Sequence, residues 1–373
     1  MKKVVGAILN FFANFFKVKE NKILFQSGRS KVDCNPYAVY KYIKENCKDK
    51  FECVWLVEKD TDISMLDEND YAYYKTLKGF IAMVTSKYWI RSQSLGSIIK
   101  KKENQVYIQM WHGAGNFKKC GYDCMKESER PTETIDHAKE WDYLIATDEY
   151  NKDALSSSVG YKKKCFVVGN CETDLLVNHT KQYVDNIKNK IGLDNKKVIL
   201  YAPTFRDTDL NKSGYELKIP ITKLEDLKDY TVLLRLHPLV SKKIENKKLP
   251  SNFINVGWYP NILDLYLVTD ILITDYSSIV FPYMLLEKSL IMYPYDYEDY
   301  LKLRGGFYLD YKNDLPGKIV YNEDELVNTI KNIDEINKEY MPKVKEFNKK
   351  YNSLNNGKVC QRFVDMLIDK KFK

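Results

Sequence analysis

The residues best equipped for chemistry in this chain are few, and each follows an apolar run. In VYIQMWHGAGNFKK, Val106 to Lys119, His112 stands between a strand-like stretch and a loop of small residues. A general base is commonly held in this way, with a rigid element behind it and a pliable loop around it. His112 is one of four histidines in the sequence. A second, His237, follows Arg235 in LLRLHPLV. The two alternate along an extended segment, so they share a face and can address one pair of phosphates. In LITDYSSIVF, Ser277 or Ser278 is suited to cap the helix that follows, and the hydroxyls with the exposed amides of a helix start form a seat for an anion. Pro282 must then lie near the first turn, since deeper in the helix it would remove a hydrogen bond. Thr204 and Arg206 end the run ILYAPTFRD, and Asp275 stands just before the serines. A serine cap, or a histidine before proline, is by itself ordinarily structural. Two cationic donors and a helix start at neighbouring strand ends are more often a pyrophosphate site.

Other chemistries lack their marks. There is no glycine-rich P-loop and no G-x-S-x-G elbow, which excludes the commonest NTPase and serine-hydrolase readings. His137 and His179 lie in polar stretches and receive no role. Asp207 and Asp209 form an acidic doublet of a kind common in loops. The eight cysteines contain no Cys-x-x-Cys pair and no His or Cys cluster that completes a zinc set, so they read as reduced thiols and no metal site is assigned.

Short apolar runs must position these residues. KILFQSG, FECVWLVE, QVYIQMW, WDYLIATDEY and KKCFVVGN read as strands, and GFIAMVTSKYWIRSQ as a helix running into a strand. VDCNPYAVYKYIKEN reads as a helix with Asn35 as N-cap and Pro36 at its first position. A polar, lysine-rich stretch around residues 178–196 separates this set from a second: KVILYAPTFRD, YTVLLRLHPLV, NFINVGW and TDILITDYSSIVFPYMLLEKSLIMYPYD. Apolar strands alternating with helices imply parallel sheets covered on both faces, hence two doubly wound α/β lobes. Ligands of such sheets bind beyond the carboxyl ends of the strands, where His112, Thr204, Arg206, Arg235, His237, Asp275, Ser277 and Ser278 all fall.

The length of 373 residues suits two domains, and 29% charged with 44% apolar residues excludes disorder and a multi-spanning membrane protein. A formal charge of +8, in short lysine clusters, favours an anionic partner, and no aromatic-plus-basic signature of a nucleic-acid reader accompanies it. In MKKVVGAILNFFANFFKVKENK, the residues Val4, Val5, Ile8, Leu9, Phe11, Phe12, Phe15 and Phe16 follow helical spacing, with Asn10, Asn14 and Lys17 on the other side. This amphipathic helix is too short to span a bilayer. Two placements remain open, an interfacial helix lying on a membrane or a helix docked on its own domain.

The motifs QMWHGAGNFKKCGYD, ILYAPTFRD, LLRLHPLV, ILITDYSSIVFPYMLLEKSLIMYPYDYEDY and RGGFYLDY, in this order and preceded by SGRSKVDCNPYAVYKYI, resemble the CDP-glycerol glycerophosphotransferase family of teichoic acid and related polymer synthesis. The resemblance runs from Ser27 to Asp310. It implies a GT-B fold: two Rossmann-like lobes facing a cleft, here preceded by the amphipathic helix. The domains expected are a membrane-associating helix over 1–22, an acceptor lobe over 23–185, a CDP-alditol-binding lobe over 186–350 and a C-terminal helix crossing back over 351–373.

The resemblance further implies transfer of glycerol phosphate or ribitol phosphate from CDP-glycerol or CDP-ribitol to a hydroxyl of a polyprenyl-diphosphate-linked saccharide. CMP is released at the cytoplasmic face of an anionic membrane, with the CDP-alditol as donor substrate and no nucleic-acid partner; whether a divalent metal takes part is left open. Carried onto matching positions, His112 is the base on the acceptor hydroxyl, with His237 as the second catalytic residue. Arg235, His237, Ser277, Ser278, Thr204 and Arg206 hold the donor pyrophosphate, with Arg304 of RGGFYLDY beside them and Asp275 supporting the lobe. Gly113, Ala114, Gly115 and Asn116 form the acceptor loop. Two departures from the family pattern fall near the first lobe. Ala114-Gly115-Asn116 replaces a Thr-Pro or Ser-Pro continuation, and Cys171, Glu172 and Thr173 stand where a Gly-Tyr-Pro-Arg-Asn motif is usual. Two other readings share the architecture: a capsule or glycoconjugate alditol-phosphate transferase with a different acceptor, and a glycosyltransferase using a nucleotide sugar.

Overall fold

The structure, a computed structural model, describes residues 2–28, 31–93, 98–112, 117–124, 137–206, 217–244 and 247–373. Two compact units divide the chain: residues 1–115, 120–174 and 354–373 form the first, and residues 116–119 and 175–353 the second.

In the first unit, β1 (Lys19–Gln26), β2 (Glu52–Val57), β3 (Tyr71–Tyr73), β4 (Ser86–Arg91), β5 (Val106–Gln109), β6 (Tyr143–Ala146) and β7 (Cys165–Val167) form one sheet in the order β3-β2-β1-β4-β5-β6-β7. Every pairing in it is parallel. The apolar runs that read as strands are buried on both faces because alternate side chains feed two cores. Ile23, Phe25, Trp55 and Ile108 enter one core, together with Val359, Phe363 and Val364 of the helix Val359–Ile368. Leu24, Leu56, Trp89 and Tyr107 enter the other.

The second unit repeats the plan with β8 (Lys197–Tyr201), β9 (Tyr230–Leu234), β10 (Phe253–Asn255), β11 (Ile271–Thr274), β12 (Ser289–Met292) and β13 (Lys318–Ile319), ordered β10-β9-β8-β11-β12-β13 and wholly parallel. In each sheet the chain winds outward in one direction from β1 or β8 and then in the other from β4 or β11. The crevice for a ligand opens at that reversal, between β1 and β4 and between β8 and β11.

Two local expectations shift. The helix α1 covers Lys2–Ala13, and β1 already begins at Lys19, where Lys19 and Lys22 pair with Glu52 of β2 at 2.8 and 2.6 Å. The helix α2 covers Cys34–Asn46, with Asp33 rather than Asn35 at its N-cap, and Pro36 lies within its first turn. Asn35 is instead buried: its Oδ1 accepts the Glu172 N–H at 3.2 Å and its Nδ2 donates to the Met110 carbonyl. These bonds tie the start of α2 to the segments after β5 and β7.

α1 keeps Asn10 on the side opposite most of its apolar residues, as the spacing indicates. That side turns inward: Asn10 Nδ2 donates to the Ile98 carbonyl at 2.8 Å and its Oδ1 accepts the Lys100 N–H at 2.8 Å. Ala13 is buried beside it, and Phe16 packs edge-on against Phe80 of the helix α3 (Leu77–Thr85). Val4, Val5, Ile8, Phe11, Phe12 and Phe15 are left facing solvent, Phe15 being 73% exposed.

Candidate active site

In the first unit the strand ends around the reversal carry His112. Trp111 precedes it with φ of 56°, a left-handed conformation that a bulky residue adopts only when its surroundings impose it. Its N–H donates to Gln109 Oε1 at 3.1 Å, and its ring stands edge-on to Trp141. The His112 ring stacks on Trp111 at 5.1 Å with 18° between planes. Its Nδ1 lies 3.3 Å from the carbonyl of Ser92, the residue following β4. A carbonyl can only accept, so the proton of neutral His112 belongs on Nδ1, and Nε2 is left as a lone-pair acceptor. His112 is exposed to solvent, with one face of its ring covered by Trp111. Loss of hydration lowers its pKa below the ordinary imidazole value, opposed in part by the Ser92 bond and the charge of Asp33. The result is a ring that is oriented, neutral near pH 7 and able to take a proton.

In the second unit the reversal lies between β8 and β11, and the loops there are joined directly. The Thr204 N–H donates to Asp275 Oδ1 at 2.7 Å. Asp275 also accepts the Tyr276 N–H at 2.6 Å and pairs with Arg206 at 2.8 Å. Arg206 bonds through all three nitrogens: Nε and Nη2 bond the two oxygens of Asp296 at 2.9 Å each, and Nη1 donates to the Thr204 carbonyl. Tyr276, Tyr295 and Tyr300 surround its guanidinium at 5.0 to 5.3 Å. Burial opposes its charge, but the Asp296 and Asp275 carboxylates more than offset that and raise its pKa. The sequence reading gave Arg206 to a pyrophosphate; among the described residues its bonds make it the rivet of this loop set, with one Nη1 hydrogen outside them.

Arg235 is placed differently. Just beyond β9, its Nη1 donates to the carbonyls of Val256 and Gly257 at 3.1 and 2.9 Å, and among the described residues it has no ion pair. Burial lowers its pKa, an effect slightly opposed by Tyr266. A half-buried guanidinium anchored by one nitrogen, without a carboxylate, suits an anion. His237 lies two residues on, exposed, its ring packed on Phe205 at 4.5 Å. The Thr204 hydroxyl is buried and has no hydrogen-bond partner, so it too is available. Ser277 and Ser278 are half-buried in the turn after β11, with the Ser277 hydroxyl 3.4 Å from the Ile279 N–H. The helix that follows, Val280–Met284, has five residues, so hydroxyls and turn amides form the seat with little dipole behind them.

Arg304 ends the helix Tyr297–Arg304. Its neighbour segment Gly306–Tyr308 pairs with Phe117–Lys119, through Lys119 N–H to the Gly306 carbonyl at 3.1 Å and Tyr308 N–H to the Phe117 carbonyl at 3.0 Å. Phe117 is buried and stacked on Phe307. The predicted acceptor loop Gly113, Ala114, Gly115 and Asn116 lies outside the described residues, as do Asp207 and Asp209. Among the described residues no group of three His, Cys, Asp or Glu side chains is placed to hold a metal ion. Sequence reasoning missed Ser92, whose contribution is a backbone carbonyl, and Asp296, whose only signal was its place after an apolar strand in IMYPYD.

Two parallel Rossmann-like units of the GT-B class, with a poised histidine in one and an anion seat in the other, define a phosphotransferase-type architecture. The chain belongs to the CDP-glycerol:poly(glycerophosphate) glycerophosphotransferase family, whose model matches residues 8–369. It is 32% identical over 370 residues to the teichoic acid glycerol-phosphate transferase of Staphylococcus aureus, covering 94% of this chain and 93% of that protein. The teichoic acid poly(glycerol phosphate) polymerase of Staphylococcus epidermidis is 32% identical over 380 residues, which are 95% of this chain and 51% of that one; the chain spans about half the length of that relative. A solved structure of the wall teichoic acid polymerase TagF matches with a TM-score of 0.88 at 30% identity, over 99% of this chain and 93% of that chain.

Proposed function

We propose that the protein transfers glycerol phosphate, or ribitol phosphate, from a CDP-alditol to a hydroxyl of a membrane lipid-linked saccharide, releasing CMP. The observation that carries this reading is His112: Nδ1 held by the Ser92 carbonyl, Nε2 unencumbered, and a pKa lowered so that the ring is a base at neutral pH. In this reaction Nε2 takes the proton of the acceptor hydroxyl as its oxygen attacks the alditol-bearing phosphorus. The bond from that phosphorus to the CMP oxygen breaks, and CMP leaves. Phosphoryl transfer depends chiefly on alignment and on neutralising phosphate oxygens. Arg235, His237, Ser277, Ser278 and the Thr204 hydroxyl are the groups for that task, with Arg304 as a further cation. Arg206 and Asp275 keep the loops in register.

The family membership and the relatives support a donor of the CDP-alditol type. No described helix is long and apolar enough to cross a membrane. The solvent-facing phenylalanines of α1 support a peripheral placement at the cytoplasmic face, since an exposed apolar strip beside lysines suits an anionic lipid surface. The test is CMP release from CDP-glycerol and, separately, CDP-ribitol, with a short-chain polyprenyl-diphosphate disaccharide as acceptor. Acceptor-dependent CMP from one donor is the expected result and names the alditol. Tight binding of nucleotide sugars with no CDP-alditol binding would overturn the reading.

A further inference from the structure

In the first unit, the segments after β1 and β7 bring Asp33, Asn170 and Glu172 together, and Asn35 ties them to the Met110 carbonyl two residues before His112. The charge of Asp33 acts on both His112 and Glu172. Asn170 is 0% exposed and tightly pinned: its N–H donates to Asn355 Oδ1 at 2.7 Å, and its carbonyl accepts the Thr173 hydroxyl at 2.6 Å. Its amide Nδ2 reaches Glu172 Oε1 at 3.4 Å, while its Oδ1 is buried with no hydrogen-bond partner. Asp33 sits at the N-cap of α2 without using its side chain as a cap. Among the described residues neither Asp33 nor Glu172 forms an ion pair with a cation.

A buried amide oxygen without a partner costs free energy comparable to a lost hydrogen bond, and two carboxylates facing each other add repulsion. Glu172 registers that cost: burial pushes its carboxyl up to about 7, with the Asn170 bond opposing and the charge of Asp33 adding to the rise. Beyond the Cys34 thiol bond to Asp33 and the Asn170 Nδ2 bond to Glu172, what the three side chains still offer is mainly lone pairs: the Asn170 Oδ1 and the carboxyl oxygens. A ligand that satisfies them must donate hydrogen bonds, as the hydroxyls of a sugar do. A phosphate would bring more acceptor oxygens and a like charge.

We infer that Asp33, Asn170 and Glu172 form the acceptor-side subsite next to the His112 base, and that it takes the uncharged, hydroxyl-bearing terminus of a saccharide in preference to a terminus that ends in a phosphodiester-linked alditol. This rests on the transfer reading above and narrows it: the chain adds its unit to a sugar end rather than extending an alditol-phosphate polymer.

The test compares two soluble lipid-diphosphate disaccharides, one ending in the free sugar and one carrying a terminal glycerol phosphate. CMP release with CDP-glycerol as donor and direct binding of each compound are both measured, for the wild-type chain, Glu172→Gln and Glu172→Arg. The wild type is expected to favour the free sugar at least tenfold in kcat/KM. Glu172→Arg is expected to erase that preference through KM, with CDP-glycerol binding unchanged. An unchanged preference in Glu172→Arg, or a wild type that prefers the phosphate-bearing end, overturns the subsite. If Glu172→Arg loses CDP-glycerol binding as well, it has not kept its fold, and Glu172→Gln decides: a KM for the free sugar raised threefold or more supports the subsite, and an unchanged KM overturns it. If neither acceptor yields CMP, the transfer reading fails. Binding then decides separately: free-sugar binding that Glu172→Arg abolishes upholds the subsite, and its absence in the wild type overturns it.

Discussion

The two units share one topology and solve opposite electrostatic problems at the same place in it. Beyond β11 the second unit buries a cation, Arg206, and cages it with Asp275 and Asp296, so that this charge is spent on architecture, while Arg235 has no ion pair among the described residues. Beyond β4 and β5 the described residues of the first unit form no such cage. Its histidine is held by a backbone carbonyl and a neighbouring ring, and the charge that acts on it is the carboxylate of Asp33. The difference teaches that a Rossmann crevice is electrostatically neutral as a design. What it binds follows from whether the loop side chains end up short of negative or of positive partners.

The contrast can be broken most severely at His112. His112→Ala is expected to lower CMP release by about two to four orders of magnitude, the usual worth of a positioned base, with CDP-glycerol affinity retained in a direct titration. Loss of binding together with turnover would move His112 out of the base role. Next comes Arg206→Met, which leaves two carboxylates facing each other in a buried loop. A loss of about 3–5 kcal/mol is expected, read as a lower unfolding transition of the second unit rather than as a change in KM alone.

Arg235→Ala should do the reverse. Unfolding should be little altered, and donor affinity should fall by about 1.5–3 kcal/mol, the scale of one charge-assisted hydrogen bond, in the same titration. The smallest effect is on pH dependence. His112 works only when neutral, and its pKa lies below the ordinary 6.5, so kcat/KM should climb with rising pH through a midpoint under 6.5 and stay level above it. Asp33→Asn removes a charge that favours the imidazolium and should move that midpoint lower still; a shift upward would contradict the electrostatics described.

Much of this was legible in the chain. Apolar runs with flanking small residues marked β1, β2, β4, β5, β8, β9 and β11, because parallel strands buried on both faces leave continuous hydrophobic signatures. β3 and β13, with three and two residues, were too short to leave one. His112 and Arg235 were legible because residue type and strand end coincide. The duty of Arg206 was not, since its partner Asp296 lies 90 residues away and only the fold brings it near. The hold on Nδ1 of His112 was equally hidden, because a carbonyl belongs to every residue and periodicity says nothing of where Ser92 points. Which face of α1 turns inward stayed open for a related reason. Spacing finds the two faces of a helix, whereas satisfaction of the Ile98 carbonyl and Lys100 amide decides which of them turns inward.

The last helix of the chain has a consequence for how the protein comes into being. Val359, Phe363 and Val364 complete a core that otherwise belongs to α2 and to strands β1, β2, β4, β5 and β6, and the N–H groups of Val359 and Cys360 are held by Asp174 at 2.9 and 2.7 Å, 185 and 186 residues earlier. During synthesis the first unit therefore emerges with one face of its sheet uncovered and waits for the whole second unit to be translated. Contacts of such sequence separation form late and slowly. The nascent chain must carry an exposed apolar layer in the interim, and its folding is timed by the ribosome's arrival at the final helix.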